Sequence, residues 1–485
     1  MKLLKDILYG TRIQETTGST HVAIEDVAFD SRQVKAFSLF VAVPGTQMDG
    51  HHFIDEAIAK GAIAIVAEKI PEEKKEGIAY IRVHDTAASL GPIAAAFYDH
   101  PSASMKVIAV TGTNGKTTTV SLLHQLFRSM GRKAGMLSTV ENRILDRAIP
   151  ATHTTPDALQ MQRLFRDMAD AGCRYVFMEA SSHSIHQHRL AGTQLAGAVF
   201  TNITHEHLDY HGDFNGYIQA KKGLFDLLTS EAFALYNQDD PHGMDMVHDT
   251  KGRIVDYALT SMADYRGRIV ENQLDGLHLH VSGHDVYSRL IGGFNAYNLI
   301  AVYAVTKELG METMEVLTHL SMLKPPPGRF EQVAAPEGVT AVVDYAHTPD
   351  ALDNVLKTID TFRTGNTQVI TVVGCGGNRD RTKRPIMAKV AVKWSDRVFL
   401  TSDNPRNENP DEIIEDMRRG LDPIEARKCI AIANRREAIR MAAQLTQNGD
   451  IVIVAGKGHE TYQEIQGVRH DFDDRLELIN AFKLV

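Results

Sequence analysis

The chain has 485 residues, enough for about three domains at ~150 residues each. Its composition, 43% hydrophobic and 23% charged with 16 prolines, excludes disordered, collagen-like and low-complexity classes. The 52 basic and 61 acidic residues leave a net charge of −9 with no basic block, which argues against a nucleic-acid partner. Cys173, Cys375 and Cys429 are far apart and form no CxxC, so a disulfide scaffold and a thiolate zinc site are excluded. No apolar run approaches the ~18 residues of a membrane span. At the N-terminus, Lys5 and Asp6 interrupt what a signal peptide would need as its apolar stretch. A cytoplasmic protein without a membrane segment is expected.

The first segment mixes short strands at 39–43 and 62–68 with a helix over 54–60, and residues 99–104 (DHPSAS) read as a linker. The second opens with an apolar strand at 106–110, a Gly-containing turn and a helix over 117–130. A helix at 157–173 and β-rich runs at 175–180 and 196–203 follow. The third alternates strands at 340–345, 368–374, 397–402, 428–433 and 451–456 with helices after Pro349, near 386–394 and up to about 447. The fold class is therefore α/β, built from βαβ units with mostly parallel sheets, and its last unit is Rossmann-like. The expected domains are 1–103, 104–328 and 329–485, the last boundary falling where three prolines at 325–327 forbid a continuing helix.

The strongest motif is VIAVTGTNGKTTTV at 107–120. A strand runs through Gly112, Thr113, Asn114 and Gly115 into a helix that starts with Lys116, Thr117 and Thr118. Backbone N–H groups in such a loop cradle phosphate oxygens, and the helix N-terminus adds positive potential. Lys116 would reach the β/γ-phosphates of ATP, and the Thr117 hydroxyl would ligate Mg²⁺. The usual pattern has glycine where Val110 stands, so the match is to a shortened variant.

A second group follows two strands. Glu179 sits at the carboxyl end of the strand YVFMEA (175–180), and His207 lies in TNITHEHLDYHG. Strand ends in open parallel sheets face the ligand crevice, so both belong near the phosphate loop. The histidine-rich stretch alone invites zinc; beside a phosphate loop and without thiolates, Mg²⁺ is the better expectation.

AVTGTNGKTTT, MEASSHSIHQHR, TNITHEHLDYHG, QAKKGLF, GGFNAYNLIAV, PPPGRFE, DYAHTPDAL, GCGGNRDRTKRP, DNPR and GKGHE together resemble the Mur ligase family, over residues from about 29 to 475. The resemblance implies three α/β domains: a UDP-binding one, a central ATP-binding one and a C-terminal amino-acid-binding one. It also implies ATP-dependent amide-bond formation through an acyl phosphate in peptidoglycan synthesis, and points to the branch that adds meso-2,6-diaminopimelate to UDP-N-acetylmuramoyl-L-alanyl-D-glutamate.

By that resemblance, Lys116, Glu179, His207 and Lys221 form the catalytic set. Lys221, rather than Lys222, would be carbamylated and complete a Mg²⁺ site with Thr117, Glu179 and His207. Asn298, Asp344 and His347 would lie on the adenosine side of ATP, and Arg329 would close on its phosphates. Ser31, Arg32, Thr154, Thr155, Ser181, Gln187 and Arg189 would hold the UDP-muramoyl-dipeptide, with His153 where the family usually has Asn.

Arg379 and Arg406 would grip the distal carboxylate of diaminopimelate. Asp403, Asn404 and Glu460 would accept from its ammonium, with Pro405 and Gly456 completing the pocket. The lysine-adding relatives generally lack the arginine of DNPR. The partners implied are these small molecules, and the expected assembly is a monomer. Two other readings remain at this point: a folylpolyglutamate synthase, which shares the loop and the acyl phosphate, and a phosphate-loop switch or motor ATPase.

Overall fold

The structure, a computed structural model, describes residues 1–45, 48–151, 153–206 and 208–483. Three α/β units follow one another, each built on its own main sheet. In the first, Asp26–Ala28, Ser38–Val41, Ala62–Ala67 and Ala79–Val83 are parallel neighbours, and Ile13–Thr17 closes one edge antiparallel. Ser38–Val41 is buried along its whole length because apolar clusters cover both faces, which is why it reads as an unbroken apolar run.

The central unit carries an eleven-stranded sheet. Its parallel middle sets Lys106–Thr111 between Tyr175–Glu179 and Gly197–Phe200. The carboxyl ends of these three strands therefore lie side by side, and the loops that follow them share one rim. The helix Lys116–Ser129 packs on one face of the sheet and Ala158–Asp170 on the other. Asp157 caps the latter by accepting from Gln160 N–H at 2.8 Å.

Both ends of this sheet turn antiparallel. Glu141–Ile144 pairs with Arg147–Pro150 at one end, and Tyr265–Gln273, Gly276–Val281 and His284–Ser288 form a meander at the other. The sequence reading assigned none of these strands.

The third unit is a six-stranded sheet in which Thr340–Asp344, Ile451–Ala455, Val369–Cys375, Arg397–Ser402 and Cys429–Ala431 are parallel and Glu331–Val333 is an antiparallel edge. The helix Pro349–Asp360 starts with Thr348 as its cap and proline in its first turn, where the missing N–H costs no intrahelical bond. Residues 99–104 differ from the expected linker. Pro101–Ser104 is a short 3₁₀ turn with Pro101 and Ser102 buried, and Ser102 Oγ accepts from Gln194 N–H at 3.0 Å. The joint is packed against the central unit. Among the described residues, no helix is long and apolar enough to cross a membrane.

Candidate active site

A cavity of about 1130 Å³ opens between the central and third units. The phosphate loop forms one wall. Gly115, at φ 88°, occupies the left-handed region just before the helix, and a Cβ there would stand 2.5 Å from Asn298 Oδ1. Asn298 thus lies under the loop, where its side chain also meets Thr119 Oγ1 at 3.4 Å. Lys116 Nζ donates to the carbonyls of Gly112 (2.8 Å) and Thr113 (2.7 Å). Burial lowers its proton affinity, and the carboxylates of Glu206 and Glu179 oppose that. Thr113 and Asn114 are tied to the neighbouring strand end: their N–H groups donate to Asn202 O (2.8 Å) and Asn202 Oδ1 (3.0 Å). Thr118 is buried at the helix start and lines the cavity.

Glu179 is fully buried at the end of its strand. Its Oε2 accepts from Thr117 Oγ1 at 3.0 Å and Thr139 Oγ1 at 3.2 Å, and its Oε1 accepts from Thr139 N–H at 2.7 Å. Thr139 was not singled out from the sequence, where nothing marks it. A hydroxyl and a carboxylate side by side are the hard oxygen donors that suit Mg²⁺, so Thr117 and Glu179 could hold it together. Among the described residues, no group of three or more His, Cys, Asp or Glu could hold a metal by itself. Mg²⁺ commonly takes one or two protein carboxylates and completes its shell with phosphate and water. His207 lies outside the described residues.

Lys221 comes from the helix Phe214–Asp226, which Asp213 caps through Gly216 N–H at 2.7 Å. It is 1% exposed, and its Nζ donates to Gly112 O at 2.7 Å, directly against the phosphate loop. Burial first, and the nearby Lys116 second, pull its pKa well below the ordinary lysine range. Lys222 turns away and pairs with Asp226 and Asp249, both at 3.1 Å.

Thr154, Thr155, Ser181 and Arg189 line the same cavity. Thr155 Oγ1 donates to Glu179 O (2.9 Å) and accepts from Ser181 N–H (3.2 Å). Arg189 donates to Thr155 O (2.8 Å) and, through two nitrogens, to Gln187 Oε1 at 3.0 and 2.7 Å. Gln187 thus orients Arg189 from outside the cavity lining. Ser31 and Arg32 also lie off it, on a turn of the first unit. Ser31 is buried, and Arg32 is exposed and holds Asp30 through two nitrogens at 2.9 and 2.7 Å.

The third unit supplies the opposite wall. Arg329 reaches across to Thr117 Oγ1 at 3.1 Å, its guanidinium 4.4 Å from the centre of the Tyr345 ring. Asp344, at its strand end, accepts from Phe330 and Ala346 N–H at 2.6 and 2.7 Å, and burial raises its pKa. His347 lies 3.6 Å from Glu206. Asp350 accepts from Asn114 Nδ2 at 2.8 Å, a second bridge to the loop that the sequence did not disclose.

DNPR leaves the strand Arg397–Ser402 at the rim, and Arg379, Asp403, Asn404, Arg406, Gly456 and Glu460 line the cavity there. Arg406 NH1 donates to Gly377 O at 2.8 Å. Pro405 is not on the lining; its carbonyl accepts from Glu408 N–H at 3.0 Å. At Gly456, with φ 117°, a Cβ would stand 2.7 Å from Asp403 Oδ2.

Asn404 departs from its expected role as an acceptor for an ammonium. Its Oδ1 already accepts from Lys457 Nζ (3.0 Å) and Glu464 N–H (2.9 Å), which uses both lone pairs. Lys457, within GKGHE, was passed over in the sequence although it sits between two residues that were singled out.

Three family descriptions match along the chain: "Mur ligase family, catalytic domain" over residues 23–98, "Mur ligase middle domain" over 110–306 and "Mur ligase, glutamate ligase domain" over 328–458. The chain belongs to the Mur ligase family, an ATP-dependent ligase family, and has its three-domain α/β architecture. It is 51% identical to a Cytophaga hutchinsonii protein named UDP-N-acetylmuramoyl-L-alanyl-D-glutamate–2,6-diaminopimelate ligase, covering 98% of this chain and 97% of that one. A Bacteroides thetaiotaomicron protein of the same name is 50% identical, over 99% and 100% of the two chains. A solved structure of a ligase so named superposes with a TM-score of 0.68 at 36% identity, covering 95% of each chain.

Proposed function

We propose that the protein adds meso-2,6-diaminopimelate to UDP-N-acetylmuramoyl-L-alanyl-D-glutamate at the expense of ATP, as a cytoplasmic ligase of peptidoglycan precursor synthesis. The observation that carries this reading is one cavity lined on one side by the phosphate loop and Glu179 and on the other by DNPR with Arg379 and Glu460. Residues 1–103 would bind the UDP moiety, 104–328 ATP, and 329–485 the incoming amino acid.

The loop and Lys116 hold the β/γ-phosphates, and Arg329 adds a second cation from the opposite wall. The D-Glu side-chain carboxylate, oriented by Arg189, attacks the γ-phosphorus, ADP leaves, and an acyl phosphate forms. Negative charge on the transferring group is met by fixed cations and loop N–H groups, so little reorganisation is needed as it develops. The amine of diaminopimelate then attacks the acyl carbon, phosphate departs, and the nitrogen loses a proton to give the amide. Arg406 and Arg379 hold the far carboxylate and aim that amine. Thr117, Glu179, His207 and a carbamylated Lys221 would hold Mg²⁺, which when bound neutralises charge between the triphosphate and the substrate carboxylate. A neutral amine is the form that takes up carbon dioxide, and the lowered proton affinity of Lys221 favours it.

The test is to incubate the protein with ATP, Mg²⁺ and UDP-MurNAc-L-Ala-D-Glu, add single amino acids, and weigh the product. A tripeptide with diaminopimelate and none with L-lysine is expected. ATP turnover without the UDP-dipeptide, or efficient lysine addition, would overturn the reading.

A further inference from the structure

Lys457 is fully buried, yet it carries a charge and belongs to none of the roles assigned above. Lysine is among the residues least often found fully buried without a partner, and here the partners are specific. Its Nζ donates to Asn404 Oδ1 at 3.0 Å and to Glu460 Oε2 at 2.9 Å. The ring centre of Tyr462 lies 5.5 Å away. Asn404 Nδ2 donates to the same Glu460 oxygen at 2.8 Å, so lysine, amide and carboxylate form a closed triangle.

We propose that Lys457 is a positioning residue for the amino-acid substrate: its ammonium locks Asn404 and Glu460 and sets the charge of the pocket that receives the substrate's distal ammonium. This rests on the reading of the pocket given under Proposed function.

Two observations carry it. The first is hydrogen-bond capacity. With Asn404 Oδ1 doubly occupied and Glu460 Oε2 held by Lys457 and Asn404, the pocket keeps one oxygen on each carboxylate. Among the described residues, neither Glu460 Oε1 nor Asp403 Oδ2 accepts a hydrogen bond, while Asp403 Oδ1 takes Asn404 N–H at 2.7 Å. An ammonium needs acceptors at fixed positions, and these two are fixed through Asn404.

The second is charge. Asp403 and Glu460 are two carboxylates, and the Lys457 ammonium, in contact with Glu460, offsets one of them. Without Lys457, Glu460 would lose its cation and keep the Asn404 Nδ2 bond, so its carboxylate would be held less firmly.

Lys457→Met removes the charge and keeps the stem. The assay is tripeptide formation with each of the three substrates varied in turn, alongside a thermal melt. The diaminopimelate KM should rise roughly 10- to 100-fold, the scale of a lost hydrogen bond to a charged group. The KM values for ATP and UDP-muramoyl-dipeptide should stay within about twofold, and kcat at saturating diaminopimelate should be largely kept.

Should Lys457→Met fold poorly because Glu460 is stranded, Lys457→Gln keeps a neutral donor for Glu460 and Asn404 while removing the charge. That variant should melt near wild type and still show the raised diaminopimelate KM. A diaminopimelate KM within threefold of wild type in a folded variant, or all three KM values moving together, would overturn the assignment. Failure of the wild type itself to add diaminopimelate would instead overturn the proposed function.

Discussion

In the proposed reaction Arg406 is the residue on which amino-acid selection would turn, and its truncation has a magnitude that can be worked out. The side chain is 23% exposed, its NH1 is pinned to Gly377 O at 2.8 Å, and its Nε lies 3.8 Å from Glu464. Its backbone, at φ 51°, is fixed from both sides: its N–H donates to Glu464 O at 3.0 Å and its carbonyl accepts from Gln466 N–H at 2.7 Å. Alanine would sit in the same left-handed conformation at similar cost, so Arg406→Ala removes the guanidinium and leaves the turn. The long, partly exposed pair with Glu464 contributes below about 1 kcal/mol to stability, so the variant should melt close to wild type. Substrate binding is different. A charge-assisted bond to the distal carboxylate is worth about 1.5–3 kcal/mol, or roughly 10- to 150-fold at about 1.4 kcal/mol per tenfold. The diaminopimelate KM should rise by that factor while those of ATP and UDP-muramoyl-dipeptide hold. Three-substrate initial-rate kinetics measure it. Equal diaminopimelate KM in the two proteins would refute the reasoning and reduce DNPR to a turn.

Lys116→Ala should lower turnover by about 10²–10³-fold, because the cation facing the transferring phosphoryl group is lost; near-normal turnover would remove the phosphate-loop assignment. Lys221→Ala should be nearly inactive and partly rescued by a small added carboxylate, whereas Lys222→Ala should be mild; the reverse sensitivity would shift the carbamate to Lys222. Arg435 and Asp474 form a fully buried pair at 2.7 Å, and Arg435→Met should cost about 3–5 kcal/mol in urea unfolding by stranding Asp474. A loss below about 1 kcal/mol would mean that the pair is not what holds the neighbouring strand ends.

The parallel strands were legible because both their faces are covered, so VIAV, AVVD and IVIVA stand out as apolar runs between helical periods. The meander at 265–288 was legible in principle. In GLHLHV, Leu277, Leu279 and Val281 point inward and alternate with His278 and His280, a period of two that was not used. Motif residues close in sequence came together as expected, the loop with Lys116 and Thr117 foremost. The contacts hidden from sequence are those between distant residues, such as Arg329 on Thr117 and Asp350 on Asn114. Asn404 shows a subtler limit. Its place in DNPR put it at the rim, but the direction of its amide is decided by Lys457 and Glu464, more than fifty residues away.

These distant contacts also bear on how the two ends of the cavity communicate. The phosphate loop lies in the central unit and the proposed amino-acid pocket in the third, so a nucleotide can influence that pocket only through contacts that differ with and without it. Side-chain bridges join the units beside the loop, among them Arg329 to Thr117, Asp350 to Asn114 and His347 to Glu206. Each central-unit partner stands on the loop or on the strand-end segment next to it. Arg329 is shared between Thr117 and the face of Tyr345, the residue next to Asp344. The third unit is thus held to the central one through the same groups that would grip the triphosphate, and its strand ends carry Arg406 and Glu460. In the proposed reaction, seating ATP and shaping the amine pocket would then be linked through these contacts.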